Sequence, residues 1–156
     1  MESNFAGPEL TTLFSALVRL EVELWDAVEG RVRAEHAMAL GSYEVMTVIA
    51  QEPGCRVHDI AAALSITVGG VSKIVDRIEA AGLCARRANP GDRRSSIIEL
   101  TPAGQRRLAE LTRTVEAELT RRLALAVRDR SPAEFTRMLT DLRAAVRTSD
   151  PDQEAS

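Results

Sequence analysis

The side chains of this 156-residue chain that can do chemistry gather in its middle. Val57–Leu64 and Val68–Ala81 both place apolar residues at helical spacing, with a short turn at Ser65–Thr67 between them. That is the outline of a helix-turn-helix. At about 100° per residue, Ile74, Val75 and Ile78 all fall within about 60° of Val71 and make one apolar stripe with it. Gly69, Ser72, Lys73, Asp76 and Arg77 lie on the opposite side. Such a face is small, hydroxylated and basic, as needed where a helix meets base edges in a groove. Thr67, Val68, Gly69 and Gly70 open the helix, and the bare backbone at the two glycines permits close approach.

A second cluster follows directly. Leu83–Ala88 and Ser95–Leu100 read as two short strands around Asn89-Pro90-Gly91-Asp92, a strong turn signal. Arg86 and Arg87 lie on the first strand, and Asp92, Arg93 and Arg94 sit at the tip; the four arginines are expected to bind nucleic acid and to supply most of the non-specific affinity. A twisted ribbon with Arg at its end can enter a minor groove while the neighbouring helix occupies the major groove. Asp92 is spaced to hold the Arg94 guanidinium by an ion pair.

The charge distribution agrees. The chain carries a net −3, yet residues 56–107 hold nine basic and five acidic side chains, a local +4, which leaves −7 for the remainder. A basic middle between acidic flanks suits a protein whose middle alone meets a polyanion.

The elements that position these clusters can also be read. Leu10, Leu13, Phe14, Leu17, Leu24, Trp25, Val28 and Val32 stripe a long first helix within 9–40. Ser42 reads as the N-cap of a second helix that ends at Pro53-Gly54. Gly82 closes the helix from Val68. Thr101-Pro102 restarts a helix through Leu108, Leu111, Val115, Leu119, Leu123 and Val127. Ser131-Pro132-Ala133-Glu134 is a capping box that opens a last helix through Phe135, Met138, Leu142 and Val146. Residues 148–156 are polar and read as a disordered tail. The expected fold is mainly α with a small β-hairpin wing. A winged helix-turn-helix over 42–101 stands between a long N-terminal helix and C-terminal helices over 102–147. Leu13, Leu17, Leu119, Leu123, Phe135, Met138 and Leu142 exceed what a core of this size can cover, so a second copy of the chain is expected on these helices.

The stretch VHDIAAALSITVGGVSKIVDRIEAAGLCARRANPGDRRSSIIELTPAGQRRL resembles the winged helix-turn-helix of the MarR-type (multiple antibiotic resistance regulator) transcription factors. VSKIVDRIEAAGL (71–83), the DRR at 92–94 and LTPAG (100–104) carry the likeness most specifically. The resemblance implies a homodimeric repressor on a pseudo-palindromic double-stranded DNA site, with recognition helices about 67–81 in successive major grooves and wings about 86–96 in the flanking minor grooves. It implies that Asp92 braces the wing and that Arg94 is the minor-groove residue, with Ser72, Lys73 and Arg77 on the major-groove face. It also implies relief by a small aromatic or anionic effector between the long helices and the winged domain. For that role the sequence offers little. Trp25 and Tyr43, the single Trp and Tyr, read as core. Arg19, Arg31 and Arg33 read as solvated or ion-paired helix face.

Other classes find less support. There is no Gly-rich phosphate loop, no G-x-S-x-G elbow and no paired metal motif, so neither an enzyme nor a cofactor is expected. His36, His58, Cys55 and Cys84 lack metal-ligand spacing. Cys84 reads as a small buried hydrophobe, whereas Cys55, beside Arg56 and His58, reads as an exposed thiol that could sense oxidants. A winged-helix scaffold that binds protein is a further alternative, disfavoured by the polar outer face of 69–77. No apolar run approaches the roughly 20 residues of a membrane span, and the N-terminus lacks a secretory pattern, so a cytoplasmic protein is expected.

Overall fold

The computed structural model describes residues 7–92, 94–128 and 131–148. The elements are α1 (Gly7–His36), α2 (Leu40–Gln51), α3 (Val57–Leu64), α4 (Val68–Ala80), β1 (Cys84–Ala88), β2 (Ser96–Leu100), α5 (Pro102–Val127) and α6 (Pro132–Thr148). They fall into two compact units, one up to Glu118 and one from Leu119 onward. The described residues are mainly helical, with one two-stranded antiparallel hairpin in the winged helix-turn-helix arrangement.

In the first unit the core forms where α2, α3 and α4 turn their apolar stripes toward each other and toward β2. Val45, Met46, Ile60, Val71, Val75, Ile78 and Ile98 are fully buried there, with Val32 from α1 and Leu111 from α5. Truncating one of the larger of these to Ala would cost about 2–5 kcal/mol.

Local chemistry sets the joints. Thr67 accepts the Gly70 N–H at 3.1 Å and so caps α4. At the other end Gly82 is left-handed (φ 72). Its N–H reaches Glu79 O and that of Leu83 reaches Ile78 O, a Schellman closure. The tight turn between α3 and α4 is made by Ser65 (φ 55), which leaves Gly69 and Gly70 inside the first turn of α4. Thr101 starts α5 by accepting the Gly104 N–H at 3.0 Å and donating its hydroxyl to Gly82 O at 2.7 Å. Gly104 lies so close to Leu83 that an added Cβ would sit 1.8 Å from the Leu83 carbonyl oxygen.

The entry to α2 differs from the sequence expectation. The first helix ends at His36, and α2 begins at Leu40 with Ala39 as its N-cap. Ser42 lies buried inside α2 and caps nothing. The capping role passes to Glu29 of α1, whose carboxylate accepts the Leu40 N–H and pairs with Arg33. Burial alone would raise the Glu29 pKa, but these two donors outweigh it and hold it below the usual value.

Trp25 also departs from expectation. Its side chain is 41% exposed on α1, so it is not a core residue, while Tyr43 is half-buried. In α6 no described residue is buried, and Phe135, Met138 and Leu142 are exposed, as is Leu13 on α1. Leu17, Leu119 and Leu123 are half-buried. Ser131 accepts the Glu134 N–H at 3.4 Å at the start of α6. Arg93 and the expected tail from 149 onward lie outside the described residues; Thr148 closes α6.

Candidate nucleic-acid interface

On α4, burial of Val71, Val75 and Ile78 turns Gly69, Lys73, Asp76 and Arg77 outward to solvent. Thr67 and Val68 are exposed at the start of the helix, with Gly70 and Ser72 half-buried beside them. The outer face is therefore the one the rotation argument gives: polar, small at the beginning, cationic at Lys73 and Arg77.

The wing is tied to this helix. In the hairpin Cys84 pairs with Leu100, Arg86 with Ile98 and Ala88 with Ser96. Ile98 also donates its N–H to the carbonyl of Cys55 at 2.9 Å, which fastens β2 to the segment entering α3. Arg86 ties the wing to α4: its guanidinium reaches Asp76 at 2.6 Å and Glu79, and its backbone N–H reaches Glu79 Oε1 at 3.0 Å. Arg87 pairs with Glu99 across the hairpin at 2.9 Å. Both arginines thus have carboxylate partners within the fold.

At the tip, Asn89 and Asp92 build two successive turns. Asn89 Oδ1 accepts the Gly91 N–H at 3.0 Å, and Asn89 Nδ2 donates to Ser95 Oγ at 2.9 Å. Asp92 accepts the backbone N–H of Arg94 at 2.9 Å. Among the described residues it makes no ion pair with the Arg94 guanidinium, contrary to the spacing argument. It orders the backbone at Arg94, and the guanidinium stays available at an exposed position. That backbone hydrogen bond, helped by Ser95 and by the charge of Arg56, holds the Asp92 carboxyl below its ordinary range.

Sequence reasoning missed Arg56 and His58. They line a cleft between the start of α3 and the wing tip, together with Ser72, Arg86, Asp92 and Arg94. Asp59 orients Arg56, accepting its backbone N–H at 2.8 Å and pairing with its guanidinium at 3.1 Å. A basic residue just ahead of a helix beside a charged wing was the available signal.

The thiol reading of Cys55 is overturned. Cys55 is 4% exposed, and burial with the nearby charges of Glu52 and Asp59 pushes its pKa up to about 11. The adjacent Arg56 is committed to Asp59 and does not offset this. Cys84 is buried as expected, with its pKa likewise raised by burial to about 11. A thiol held protonated is a poor nucleophile toward oxidants. Among the described residues no single helix is long and apolar enough to cross a membrane.

The family model that matches this chain is that of the MarR family, over residues 39–96. A Thauera aromatica protein named for transcriptional regulation of the hcr operon is 33% identical over 75 residues, which span 48% of this chain and 45% of that relative. Among solved structures, the transcriptional regulator BldR from Sulfolobus solfataricus superposes with a TM-score of 0.77 at 21% identity, covering 90% of this chain and 96% of BldR. The transcriptional repressor CouR bound to a 23-mer DNA duplex gives 0.71 at 25% identity, covering 93% and 99%. CouR from Rhodococcus jostii RHA1 bound to p-coumaroyl-CoA gives 0.71 at 21%, covering 92% and 95%.

Proposed function

We propose, from the match of residues 39–96 to the MarR family model, that the protein is a MarR-type, cytoplasmic, sequence-specific DNA-binding transcriptional regulator. It acts as a homodimer on a pseudo-palindromic operator and represses until a small effector binds. The observation that carries this reading is the pairing of two exposed features on one braced frame. The outer face of α4 from Thr67 to Arg77 meets base edges in the major groove, and the wing tip presents Arg94 to the minor groove. Ser72, Lys73 and Arg77 read sequence, while Arg93 and Arg94 add wing contacts. Arg86 and Arg87, held by Glu79, Asp76 and Glu99, act first as struts.

The second copy is supported by the exposed apolar side chains on α1 and, separately, on α6, where Phe135, Met138 and Leu142 are 44%, 52% and 41% exposed in a single chain. Two-fold symmetry then sets two recognition helices about 34–36 Å apart, one turn of DNA.

The test is fluorescence anisotropy of the purified protein with DNA from immediately upstream of its own gene, against a scrambled duplex, across a salt series. Tight binding that prefers the native duplex and weakens steeply with salt is expected. Arg94→Ala should cost about 1–3 kcal/mol per half-site at most sequences, and Lys73 substitutions should change which sequences are preferred. Absence of salt-dependent binding to either duplex would move the reading to a protein-binding scaffold.

A further inference from the structure

With the outer face of α4 in a major groove and the wing tip in the adjacent minor groove, the sugar-phosphate wall that separates the two grooves must run between them. A cleft of about 550 Å³ lies in that place. Val68 and Ser72 of α4 line it from one side and Asp92 and Arg94 of the wing from the other. Arg56 and His58, at the entrance of α3, complete it.

The charges around the cleft are not equally available. Arg86 also lines it, but Asp76 and Glu79 hold its guanidinium. Arg56 meets Asp59 through Nε at 3.1 Å and Nη2 at 3.4 Å, and among the described residues nothing engages its Nη1. Arg94 is exposed, and among the described residues its guanidinium meets no carboxylate. The two nearby acids are spent within the fold, Asp59 on Arg56 and Asp92 on the backbone N–H of Arg94. These partners hold both carboxyls below the ordinary Asp range, so both stay ionised near neutral pH. His58 is exposed, and among the described residues its ring has no hydrogen-bond partner. Imidazole is the side chain whose charge ordinarily changes between about pH 5 and 8. Around the cleft, His58 is therefore the group able to change charge near neutrality.

Resting on the DNA-binding reading of the chain, we propose that this cleft seats one phosphate of the DNA backbone between the free edge of Arg56 and the guanidinium of Arg94, and that protonation of His58 tightens the contact. Phosphate oxygens accept charge-assisted hydrogen bonds from both guanidinium groups, and the Ser72 hydroxyl, half-buried on the α4 side, is a further donor. An anion seated beside an imidazole favours the charged ring, so binding takes up a proton in each copy of the chain. Affinity then rises as pH falls through the imidazole range. It rises alike on every sequence, because a phosphate carries no base identity. The cleft sets how tightly DNA is held and leaves the choice of sequence to α4.

The chain has two histidines, so His58→Gln assigns both sets of ring resonances in NMR spectra. The other, His36, bonds Thr114 at 2.8 Å and does not line the cleft. The full-length protein is titrated from about pH 8 to about pH 6 at fixed ionic strength, free and saturated with duplex, and anisotropy is measured at both ends of that range. DNA should raise the His58 midpoint by at least about half a unit and leave that of His36 in place. The parent should bind about tenfold more tightly at the lower pH, on the native and the scrambled duplex alike, and His58→Gln by at most about twofold. Arg56→Gln should lower the salt slope by nearly 2 for the dimer, and Arg56→Lys should keep it. Circular dichroism establishes that each variant is folded, and the Arg56 variants carry the test if His58→Gln is not. DNA binding with the His58 midpoint unmoved, with pH dependence intact in His58→Gln, or with the salt slope intact in Arg56→Gln would overturn the proposal and leave the regulator reading standing. Equimolar inorganic phosphate that moves the midpoint as far as DNA does would also overturn it, since the cleft then takes a free anion. Absence of salt-dependent binding to either duplex removes the regulator reading and this proposal together.

Discussion

Replacing Arg86 with Ala separates two roles that sequence alone cannot tell apart: a phosphate contact and a strut. In the structure the Arg86 guanidinium spans Asp76 and Glu79 of α4 and is 29% exposed, against 62% for Asp76 and 35% for Glu79. The Asp76 bond is largely in water and contributes a few tenths of a kcal/mol, while the more sheltered Glu79 bond contributes roughly 1 kcal/mol. The backbone N–H of residue 86 keeps its bond to Glu79 in the variant, so only these two are lost. Arg86→Ala should therefore lower unfolding stability by about 1–1.5 kcal/mol, or about 2–6 °C in Tm for a chain of this size. Glu79→Gln should cost about the same, and the double variant should show a coupling of about 0.5–1 kcal/mol. Each phosphate contact contributes about 0.9 to the slope of log affinity against log salt. A strut leaves that slope in place, whereas a contact made twice per dimer would reduce it by nearly 2. Unfolding stability unchanged within about 0.3 kcal/mol, together with a slope lower by about 2, would refute the strut reasoning.

Gly104→Ala should be far more damaging than a helix Gly→Ala exchange usually is. The new Cβ would lie 1.8 Å from Leu83 O, so the start of α5 must move by roughly 1.5 Å and strain the Thr101 N–H bond to the same oxygen. A loss of about 3 kcal/mol is expected in thermal or urea unfolding, and a Tm within about 2 °C of the parent would contradict the packing. With both thiols raised to about 11, alkylation of Cys55 and Cys84 in the folded protein at pH 8 should run at least about 100-fold slower than for a free cysteine. Labelling at the free-thiol rate without unfolding would show that the burial is wrong. Asp92 has a folded-state pKa below its unfolded value, so its contribution to the wing turn is present above the unfolded pKa and lost as pH falls through the folded one. Following its carboxyl resonance by NMR should give a midpoint below the ordinary Asp value of about 3.9, and a midpoint at or above it would remove the Arg94 backbone bond from the account.

The parts of the fold that were legible in the sequence are those set by local chemistry. Thr67, Gly82, Thr101-Pro102, Ser131-Pro132 and Asn89-Pro90-Gly91-Asp92 each act within a few residues of themselves, and the structure has the helices and hairpin they delimit. Ser42 misled because the Leu40 N–H at the start of α2 is served by Glu29, 11 residues upstream on another helix. Cys55 misled for a similar reason. Its neighbours in sequence are polar, but its carbonyl is claimed by Ile98 more than 40 residues away, and that pairing draws the residue inside. In the candidate site, the outward set on α4 followed from helical rotation alone. The commitments of Arg86, Arg87 and Arg56 did not, because a count of basic residues carries no record of which carboxylate each will meet.

The bond from Ile98 to the carbonyl of Cys55 has a mechanical consequence. With the Arg86 strut on the other side, it holds the hairpin at both the α3 entrance and α4, so the wing cannot swing without breaking a backbone hydrogen bond and an ion pair together. The separation between Arg94 and the outer face of α4 is then a fixed gauge. In the proposed homodimer, control would then act on how one such gauge is set against its twin.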